Sequence, residues 1–550
     1  MIIDARTLPN NESLDADICI VGAGTAGLTL AYSLIGTGFD ILLLESGGLK
    51  PDKGSHALNW GENIGLPYYN LDVARARFFA GCCNRWHVAL GNKQLGARIR
   101  PLDPIDFEYR HWVPHSGWPF DKSQIETYYE RAQGICRTTP ASYEVDTWRR
   151  SNGFEVLPLD PAFVKTIIFK FCSKNPFIHD YADAVKRANT IKTLLFANVF
   201  SIDLSDNAKK VIALKVASFE GNQFHVRARV YILAAGGIEI PRLLLTSTDK
   251  MRHGVGNQYD LVGRFFMEHL HFWSGLLIPF DKKLIGKMAL YNSIQIINDV
   301  PIIAKLAPSE DIMRRERLIN HNIQLIPTIV PRSTLYPYLY PMQNSKAVSA
   351  FKSVLSDLKH GRLPSVDNFA KSVTGFDSIA KAAMHKGYRK LGRSFDRRQS
   401  QIYRLANMTE QIPNPDCRVT LGEERDQFGI PRVKLNWQVT QQDLSNAVRI
   451  QQILAREVEK TGVGRLHIQL SSDTIPGNLH GGYHHMGTTR MHRDSKSGVV
   501  DENCRVHGLS NLYIAGPSVF PTGGYANPVL TIVALTLRLA DYLTQVLRTQ

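Results

Sequence analysis

The hydrophobic pattern is most regular between residues 17 and 48, where a strand-like period gives way to a helix-like one. Residues 18–21 form a short apolar run that is typical of a buried parallel strand. An apolar, helix-compatible segment at 28–35 follows a glycine-rich turn, and a second apolar run at 41–44 ends at Glu45. This order predicts a strand–turn–helix–strand unit of an α/β fold.

The turn itself carries the G-x-G-x-x-G pattern. Gly22, Gly24 and Gly27 enclose the small residues Thr25 and Ala26. Such glycines permit a tight turn, close approach of the backbone to a pyrophosphate, and close helix–strand packing, while the helix N-terminus offers free N–H groups to phosphates. The turn therefore predicts a dinucleotide site.

The residue after the second strand narrows the choice of dinucleotide. Glu45 stands about 20 residues beyond the glycines, where a carboxylate accepts hydrogen bonds from ribose hydroxyls. An acid at this position favours FAD or NAD over NADP. The choice between FAD and NAD stays open from these residues alone.

A second strand-rich region follows the first unit after a long interval. Apolar or alternating runs predict strands at 192–195, 199–204, 211–216 and 225–234. The last strand ends in Ala234, Ala235, Gly236 and Gly237, ahead of a predicted helix at 240–245. This arrangement predicts a second close approach of the backbone to the same ligand.

The segment from 271 to 469 differs in character. Apolar runs such as 274–278 and 321–330 predict a largely antiparallel sheet, and residues 345–400 are amphipathic, helical in pattern and rich in lysine and arginine. Two interpretations of this basic insertion stay open. It is either a solvated helical flap, or a docking surface for a membrane or an acidic electron-acceptor protein.

Length and composition limit the class of protein. A chain of 550 residues predicts two to four domains. The net charge of +15 comes without a recognisable nucleic-acid-binding motif, so we expect no nucleic-acid partner; a basic soluble surface or attraction of anionic partners explains the charge.

Targeting signals, metal sites and disulfides are not expected either. The apolar runs fall short of the ~20 residues that span a bilayer, and the N-terminus lacks the pattern of a signal peptide, so we expect a cytoplasmic protein without a transmembrane segment. The seven cysteines show no metal-ligand spacing, and their odd number argues against a disulfide framework.

The C-terminal region holds the candidate chemistry. His484 and His485 precede a glycine-rich turn, a predicted strand ends at Gly516, and Asn527-Pro528 opens a predicted helix at 529–543. Together with the N-terminal turn, Asn198-Val199 and Ala235-Gly236-Gly237, this ordered set resembles the GMC (glucose–methanol–choline) oxidoreductase family. The resemblance is strongest to its pyranose-oxidase-like and sugar-dehydrogenase branch.

The resemblance implies a fold and a cofactor. It implies an α/β fold (α+β overall) with a discontinuous, Rossmann-like FAD-binding domain at 1–70, 186–270 and 470–550. A substrate-binding domain and cap at 71–185 and 271–469 would contain an antiparallel sheet flanked by helices. The residues expected at the cofactor are Gly22, Gly24, Thr25, Ala26, Gly27, Glu45, Ser46, Gly81, Cys83, Asn84, Trp86, Val199, Ala235, Gly236, Gly516, Asn527, Pro528 and Val529.

The resemblance also implies a reaction. A hydroxyl of a sugar, glycoside or related polyol would be oxidised to the carbonyl by proton abstraction and hydride transfer to flavin N5. His484 would be the base and Asn527 the second partner of the substrate oxygen. Gln411 is a further candidate substrate contact beside His484, and His485, which stands where many members have proline, is expected to be structural.

Other functions stay open at this point. These are oxidation of a simple aliphatic or aromatic alcohol, a non-redox flavoprotein lyase on the same scaffold, and an interaction protein that uses the basic insertion. Oxygen, a quinone and a protein are all possible electron acceptors.

One departure from the family pattern concerns the cofactor linkage. In pyranose-oxidase-like relatives, a histidine just before the tryptophan of the Gly-Gly…Trp turn can bond covalently to FAD. Arg85 precedes Trp86 in this chain. We therefore predict non-covalent FAD.

Overall fold

Two eight-stranded sheets organise the protein. The structure, a computed structural model, describes residues 1–138, 142–152, 155–281, 284, 288–331, 346–359, 363–374 and 399–549. The first sheet has a parallel centre, whereas neighbouring strands of the second run antiparallel. The predicted α/β class, with one Rossmann-like and one antiparallel sheet, is confirmed.

The first sheet brings distant parts of the chain to a common edge. In spatial order its strands are Ile2–Asp4, Ile191–Leu195, Ile41–Leu44, Ser13–Val21, Gln223–Leu233, Val211–Ala217 and Asn198–Leu204, with Leu512–Ile514 paired in parallel to Gln223–Leu233. Val21 lies opposite both Leu44 and Leu233 in register. Because the carboxyl ends of parallel strands meet at one edge, the loops after these strands converge there.

Three helices begin at that edge. They are Thr25–Ser33, Gly236–Thr246 and Val529–Thr549. The first two start earlier than predicted, because the helical turn includes the small residues that follow each glycine. Their N-termini therefore face the same space as the loops.

The C-terminal helix is the most apolar of these elements. By length and composition alone, Val529–Thr549 is the one helix among the described residues that could cross a membrane. However, 67% of its most apolar window is buried, and it packs against the helices Thr25–Ser33 and Glu126–Ile135. We interpret it as a core helix.

The second sheet separates two apolar cores. In spatial order its strands are Gly464–Ile468, Leu270–Pro279, Gln399–Thr409, His321–Pro331, Val300–Pro308, Val164–Phe171 and Arg98–Ile99, with Gln295–Ile297 beside Val300–Pro308. Ile168 and Leu405 lie in the core shared with the long helix Gln441–Lys460, whereas the neighbouring Phe169 and Met408 lie in the core of the first sheet. This alternation is the period of two expected of strands covered on both faces.

Smaller elements complete the described structure. Gly61–Asn63, Pro431–Asn436 and Arg418–Arg425 form a third sheet, and Val88–Leu90 pairs with Lys93–Leu95. The remaining helices and turns are Ala5–Thr7, Lys53–Ala57, Leu71–Ala74, Gly81–Arg85, Pro104–Phe107, Lys122–Gln124, Glu126–Ile135, Val145–Asn152, Phe177–Tyr181, Ala182–Arg187, Ala289–Asn292, Glu310–Glu316 and Pro517–Val519.

The basic insertion is described only in part. Two helices, Lys346–Lys359 and Val366–Thr374, lie within it, and the rest of residues 345–400 lies outside the described residues except for 363–365 and 399–400. Strands of the first sheet all fall within 1–70, 186–270 and 470–550. The domain boundaries themselves stay a prediction.

Two glycines of the N-terminal turn allow a matched test. A Cβ at Gly27 would lie 1.9 Å from the carbonyl oxygen of Gly22, whereas a Cβ at Gly24 would meet no heavy atom within 4 Å. We expect Gly27→Ala to lower the thermal unfolding midpoint strongly or to prevent folding, and Gly24→Ala to leave it close to that of the parent. Circular dichroism melts check this, and equal shifts for the two variants would contradict the close helix–turn packing.

Candidate active site

A cavity of about 800 Å³ runs from the glycine turn to the start of the C-terminal helix. Its walls come from the carboxyl edge of the first sheet and from the edge of the second sheet at Arg98. Most of the predicted cofactor and catalytic residues line it: Gly22, Gly24, Thr25, Ala26, Glu45, Ser46, Gly81, Trp86, Val199, Ala235, Gly236, His484, Gly516, Asn527, Pro528 and Val529.

Three predicted residues support the wall from behind. Gly27 packs the first helix onto the turn, as its close approach to Gly22 shows. The Cys83 thiol lies 3.0 Å from the Thr25 hydroxyl. The Asn84 amide donates to the carbonyl oxygens of Phe79 and Gly81 and so closes the turn Gly81–Arg85.

The glycine end of the cavity suits a dinucleotide. Helix Thr25–Ser33 begins at Gly24 without a side-chain cap, so its first N–H groups are free for an anion. Glu45 is buried, and its carboxylate accepts from the backbone N–H of Ala23 at 3.0 Å and of Gly47 at 2.9 Å. Burial raises the pKa of Glu45, and its place in the cavity wall fits a ribose partner.

A network of charged side chains, missed in the sequence, closes the same end. Glu239 pairs with Arg75 at 2.8 Å, Arg77 at 2.7 Å and Arg242 at 3.0 Å, and Arg242 also pairs with Asp426 at 2.6 Å. The three guanidinium groups hold the pKa of Glu239 below its usual value despite burial. The network retains one excess positive charge, which complements a phosphate-bearing ligand.

His484 and Asn527 meet at the opposite end of the cavity. The Asn527 amide nitrogen lies 3.3 Å from His484 Nε2, and His484 Nδ1 lies 2.7 Å from His269 Nδ1. Asn527 Oδ1 accepts a hydrogen bond from Arg98 Nε at 2.9 Å. Burial, and then the neighbouring His269, His271 and Arg98, hold the pKa of His484 well below its usual 6.5, so the imidazole is neutral at pH 7 and can accept a proton.

A buried carboxylate fixes the loop that carries this histidine. Glu268 accepts from the backbone N–H of Gly482 at 2.8 Å and of His484 at 3.0 Å, and from the Tyr68 hydroxyl. Burial raises the pKa of Glu268 to about 7. Since a carboxylate only accepts when ionised, it matches these donors and holds His484 in place.

His485 contacts Tyr68, the residue that donates to Glu268. Its Nε2 lies 3.0 Å from the Tyr68 hydroxyl, and burial lowers the pKa of His485 to about 3. Because Tyr68 donates to Glu268, His485 Nε2 is the donor to Tyr68. The geometry agrees with the structural part expected of this residue.

Gln411, the other candidate substrate contact, lies behind the site. Its Oε1 accepts from Trp437 Nε1 and from the Glu268 N–H, both at 3.0 Å, and its Nε2 donates to the Gln438 carbonyl at 2.7 Å. The side chain is 2% exposed. With its amide fully occupied, Gln411 supports the strand that holds Glu268, and the structure gives it no place against substrate.

Sequence reasoning also missed Arg98, Glu268 and His269. The pair Glu268-His269 directly precedes the apolar strand Leu270–Pro279, and two ionisable residues at the entry to a buried strand are a signal that could have been read. Arg98 stands in the two-residue strand Arg98–Ile99, which carries no such pattern. Among the described residues, no group of three or more His, Cys, Asp or Glu side chains is arranged to hold a metal ion.

Comparison with known proteins agrees with this arrangement. Residues 413–536 match the family model described as GMC oxidoreductase. The chain is 22% identical to the fructose dehydrogenase large subunit of Gluconobacter japonicus over 97% of this chain and 98% of the relative. It is 24% identical to paromamine 6'-oxidase of Streptomyces fradiae over 95% of this chain and 90% of the relative.

One solved structure supports the fold. A crystal structure of formate oxidase superposes with a TM-score of 0.50 at 13% identity, covering 98% of this chain and 99% of that one. At this identity the likeness concerns the fold alone.

The Glu268 support predicts the effect of removing its acceptor oxygen. In Glu268→Met, a change of similar size, the backbone N–H groups of Gly482 and His484 would lose the oxygen to which both donate, and an unmatched buried group costs about 1–3 kcal/mol. We expect a lower midpoint in urea unfolding monitored by intrinsic fluorescence. Glu268→Gln is the control, because its amide oxygen can still accept from both N–H groups while its N–H₂ group faces the Tyr68 hydroxyl; an effect as large as that of Glu268→Met would contradict this assignment.

Proposed function

The chain belongs to the GMC oxidoreductase family, and from that premise we propose that it oxidises a hydroxyl group of a sugar, glycoside or related polyol to the carbonyl, with FAD as the oxidant. The observation that carries the proposal is the His484–Asn527 pair, 3.3 Å apart, at the far end of a cavity whose other end is a dinucleotide-type glycine turn.

The cavity residues fit FAD. The open space at Gly24, the uncapped helix start and the Glu45 carboxylate would hold its nucleotide part, and the first residues of the helix at Val529 would lie beside its ring system. When bound, FAD supplies the two-electron acceptor that takes the carbon-bound hydrogen of the alcohol as hydride.

The protein supplies the proton chemistry. A neutral imidazole can take the hydroxyl proton at His484 Nε2 as the carbonyl forms. The amide of Asn527 can donate to the same substrate oxygen, so it stabilises the negative charge that develops there without titrating itself. Both side chains lie half-buried in the cavity wall, where hydrogen bonds are stronger than in open solvent.

Sugars are favoured as the substrate class by the relatives and by the charge of the site. The names of the two relatives above refer to a sugar and an aminoglycoside. Arg98 is charged at pH 7, since burial lowers its pKa only to about 10, and it lies beside Asn527. This positive charge disfavours a protonated amine near the reacting carbon, so we propose a neutral or acidic sugar rather than an amino sugar.

We also propose that FAD is held without a covalent bond. Arg85, a residue that cannot form the histidyl linkage, precedes Trp86 in the cavity wall. The nearest histidine in sequence that lines the cavity is His87. Acid precipitation should release the yellow colour into the supernatant, and a peptide carrying the mass of FAD at His87 would contradict the proposal.

The reaction itself is tested with His484 variants. We expect His484→Ala to lower the rate constant of anaerobic flavin reduction by sugars about 10²–10⁴-fold, because the base is lost. The measurement is stopped-flow absorbance across a panel of sugars, glycosides, polyols and simple alcohols. His480→Ala is the matched control, since His480 is a surface histidine of the same loop region.

Two outcomes would overturn the proposal. Unchanged reduction in His484→Ala would remove its assigned role. Rapid reduction by simple alcohols with none by sugars would replace the substrate class.

A further inference from the structure

We propose that Arg98 is a positioning residue that fixes the orientation of the Asn527 amide and, through it, the protonation pattern of His484. The inference rests on the proposed function, because it concerns how the base of that reaction is kept ready. It assigns a role to Arg98, a side chain that takes no part in the proposed proton and hydride transfers.

The contacts of Arg98, a half-buried side chain of the cavity wall, are unusual for a cation. Its guanidinium carbon lies 5.1 Å from the centre of the Phe169 ring, its Nη2 lies 3.7 Å from Met408 Sδ, and its Nε donates to Asn527 Oδ1. Within the part of the chain that the structure describes, no carboxylate forms an ion pair with it, and desolvation lowers its pKa. A partly desolvated arginine without an acidic partner is costly to keep, which makes its contact with Asn527 significant.

The direction of the first hydrogen bond follows from chemistry. A guanidinium group only donates, so the atom of Asn527 that faces Arg98 must be the amide oxygen. The amide nitrogen then faces His484 Nε2, at 3.3 Å. Because that nitrogen also only donates, His484 Nε2 must be an unprotonated acceptor.

The same rule determines the next two contacts. A neutral His484 with a bare Nε2 carries its proton on Nδ1, and this proton is donated to His269 Nδ1 at 2.7 Å. His269 then carries its own proton on Nε2, which faces the carbonyl oxygen of Gly523 at 3.3 Å. The chain therefore pairs one donor with one acceptor at every step from Arg98 to Gly523.

The reversed pattern is excluded by its first step. A proton on His484 Nε2 would require Asn527 to turn its oxygen toward the histidine and its amide nitrogen toward the Arg98 donor. Two donors would then face each other in a partly buried site, and a donor left there without an acceptor is strongly disfavoured. Arg98 thus selects the form of His484 that can accept a proton at the cavity side.

The Nδ1-protonated form of His484 suits an alcohol substrate. A hydroxyl placed between the two side chains can donate its hydrogen to His484 Nε2 and accept from the Asn527 amide nitrogen. The fixed positive charge of Arg98 also opposes premature protonation of His484, in line with its part in lowering the pKa of that histidine. Arg98 acts through Asn527 and need not touch substrate.

The test is a double-mutant cycle on flavin reduction. We expect Arg98→Met to lower the limiting rate constant of anaerobic flavin reduction by up to about 100-fold, with little change in the substrate concentration at half saturation. In an Asn527→Ala background, the same change should cost less than about 3-fold, because the group through which Arg98 acts is already gone. Equal effects in both backgrounds would overturn the proposal.

The pH profile gives a second readout. In the parent, Glu268, whose pKa burial raises to about 7, adds a step near neutral pH that the variants share. The fall that reports protonation of His484 itself should appear only at acid pH, below the usual histidine pKa of 6.5, since the base works when neutral. Arg98→Met removes a nearby positive charge, so the pKa of His484 should rise and the fall should begin at higher pH. Arg98→Lys keeps the charge and should retain the low pKa; a profile identical in all three proteins would count against Arg98.

A matched control distinguishes the proposed role of Arg98 from a general loss of folding. Arg490 is a buried arginine whose pKa is lowered to about 10 by burial, as that of Arg98 is by desolvation, and it lies against Phe265 and donates to the His115 carbonyl, outside the catalytic pair. Arg490→Met should leave the pH profile and the rate of flavin reduction unchanged once the folded fraction is accounted for.

A spectroscopic measurement keeps the inference testable if no sugar reduces the flavin. Nitrogen-15 shifts of histidine-labelled protein, with His484 assigned by its loss in His484→Ala, report which ring nitrogen carries the proton. We expect the Nδ1-protonated form in the parent and a mixture in Arg98→Met. An Nε2-protonated His484 in the parent would overturn the inference, whatever the fate of the proposed reaction.

Discussion

A buried imidazole can serve as a base only if it is neutral and if its second nitrogen already has a partner. At the reactive end of this cavity both conditions are met: His269 Nδ1 lies 2.7 Å from His484 Nδ1 and accepts its hydrogen bond in the pattern inferred above, and Asn527 faces Nε2. Glu268 fixes the backbone of His484 from behind. In the proposed reaction, these contacts would keep Nε2 unprotonated and aimed at the cavity.

The fold achieves this by convergence at a sheet edge. Parallel strands that are far apart in sequence end together, so the glycine turn, Glu45, the Ala235-Gly236 turn and Gly516 line one cavity. The C-terminal helix begins at the same edge and carries Asn527 just before its first turn. The antiparallel sheet closes the space with Arg98 and supplies the histidine partner, His269, ahead of Leu270.

The two ends of the cavity have different electrostatic tasks. At the nucleotide end, Arg75, Arg77 and Arg242 are largely neutralised by Glu239 and Asp426, which leaves a modest positive charge for phosphates. At the reactive end, the histidines are neutral and Arg98 is the charged group closest to Asn527. A reaction that develops negative charge on a substrate oxygen fits the second environment.

Features that depend on a local sequence pattern, such as turns and strands, could be predicted from the sequence. The glycine turn, the acid after the second strand and most strands of the first sheet have fixed spacing or period, and the structure places them within a few residues of expectation. His484 and Asn527 were found because a family pattern marks them. Arg98, Glu268 and most pairs of the Glu239 network act through partners more than 150 positions away, and no local period reveals such pairings; the Glu239–Arg242 pair, three residues apart on one helix, is the exception. For Gln411, a place on a sheet segment that could reach the pocket predicts a substrate contact, whereas its amide is fully hydrogen-bonded inside the protein.

The most direct test of the account is a deuterium isotope effect on flavin bleaching. The yellow protein, freed of oxygen, is mixed with a neutral sugar in ordinary form and in a form deuterated at every carbon-bound position. If His484 is the base, both forms should bleach the flavin and the deuterated sugar should do so several-fold more slowly, because the carbon–hydrogen bond breaks as His484 takes the hydroxyl proton. A flavin that stays oxidised with every sugar, or one that bleaches at the same rate with both forms, would contradict it.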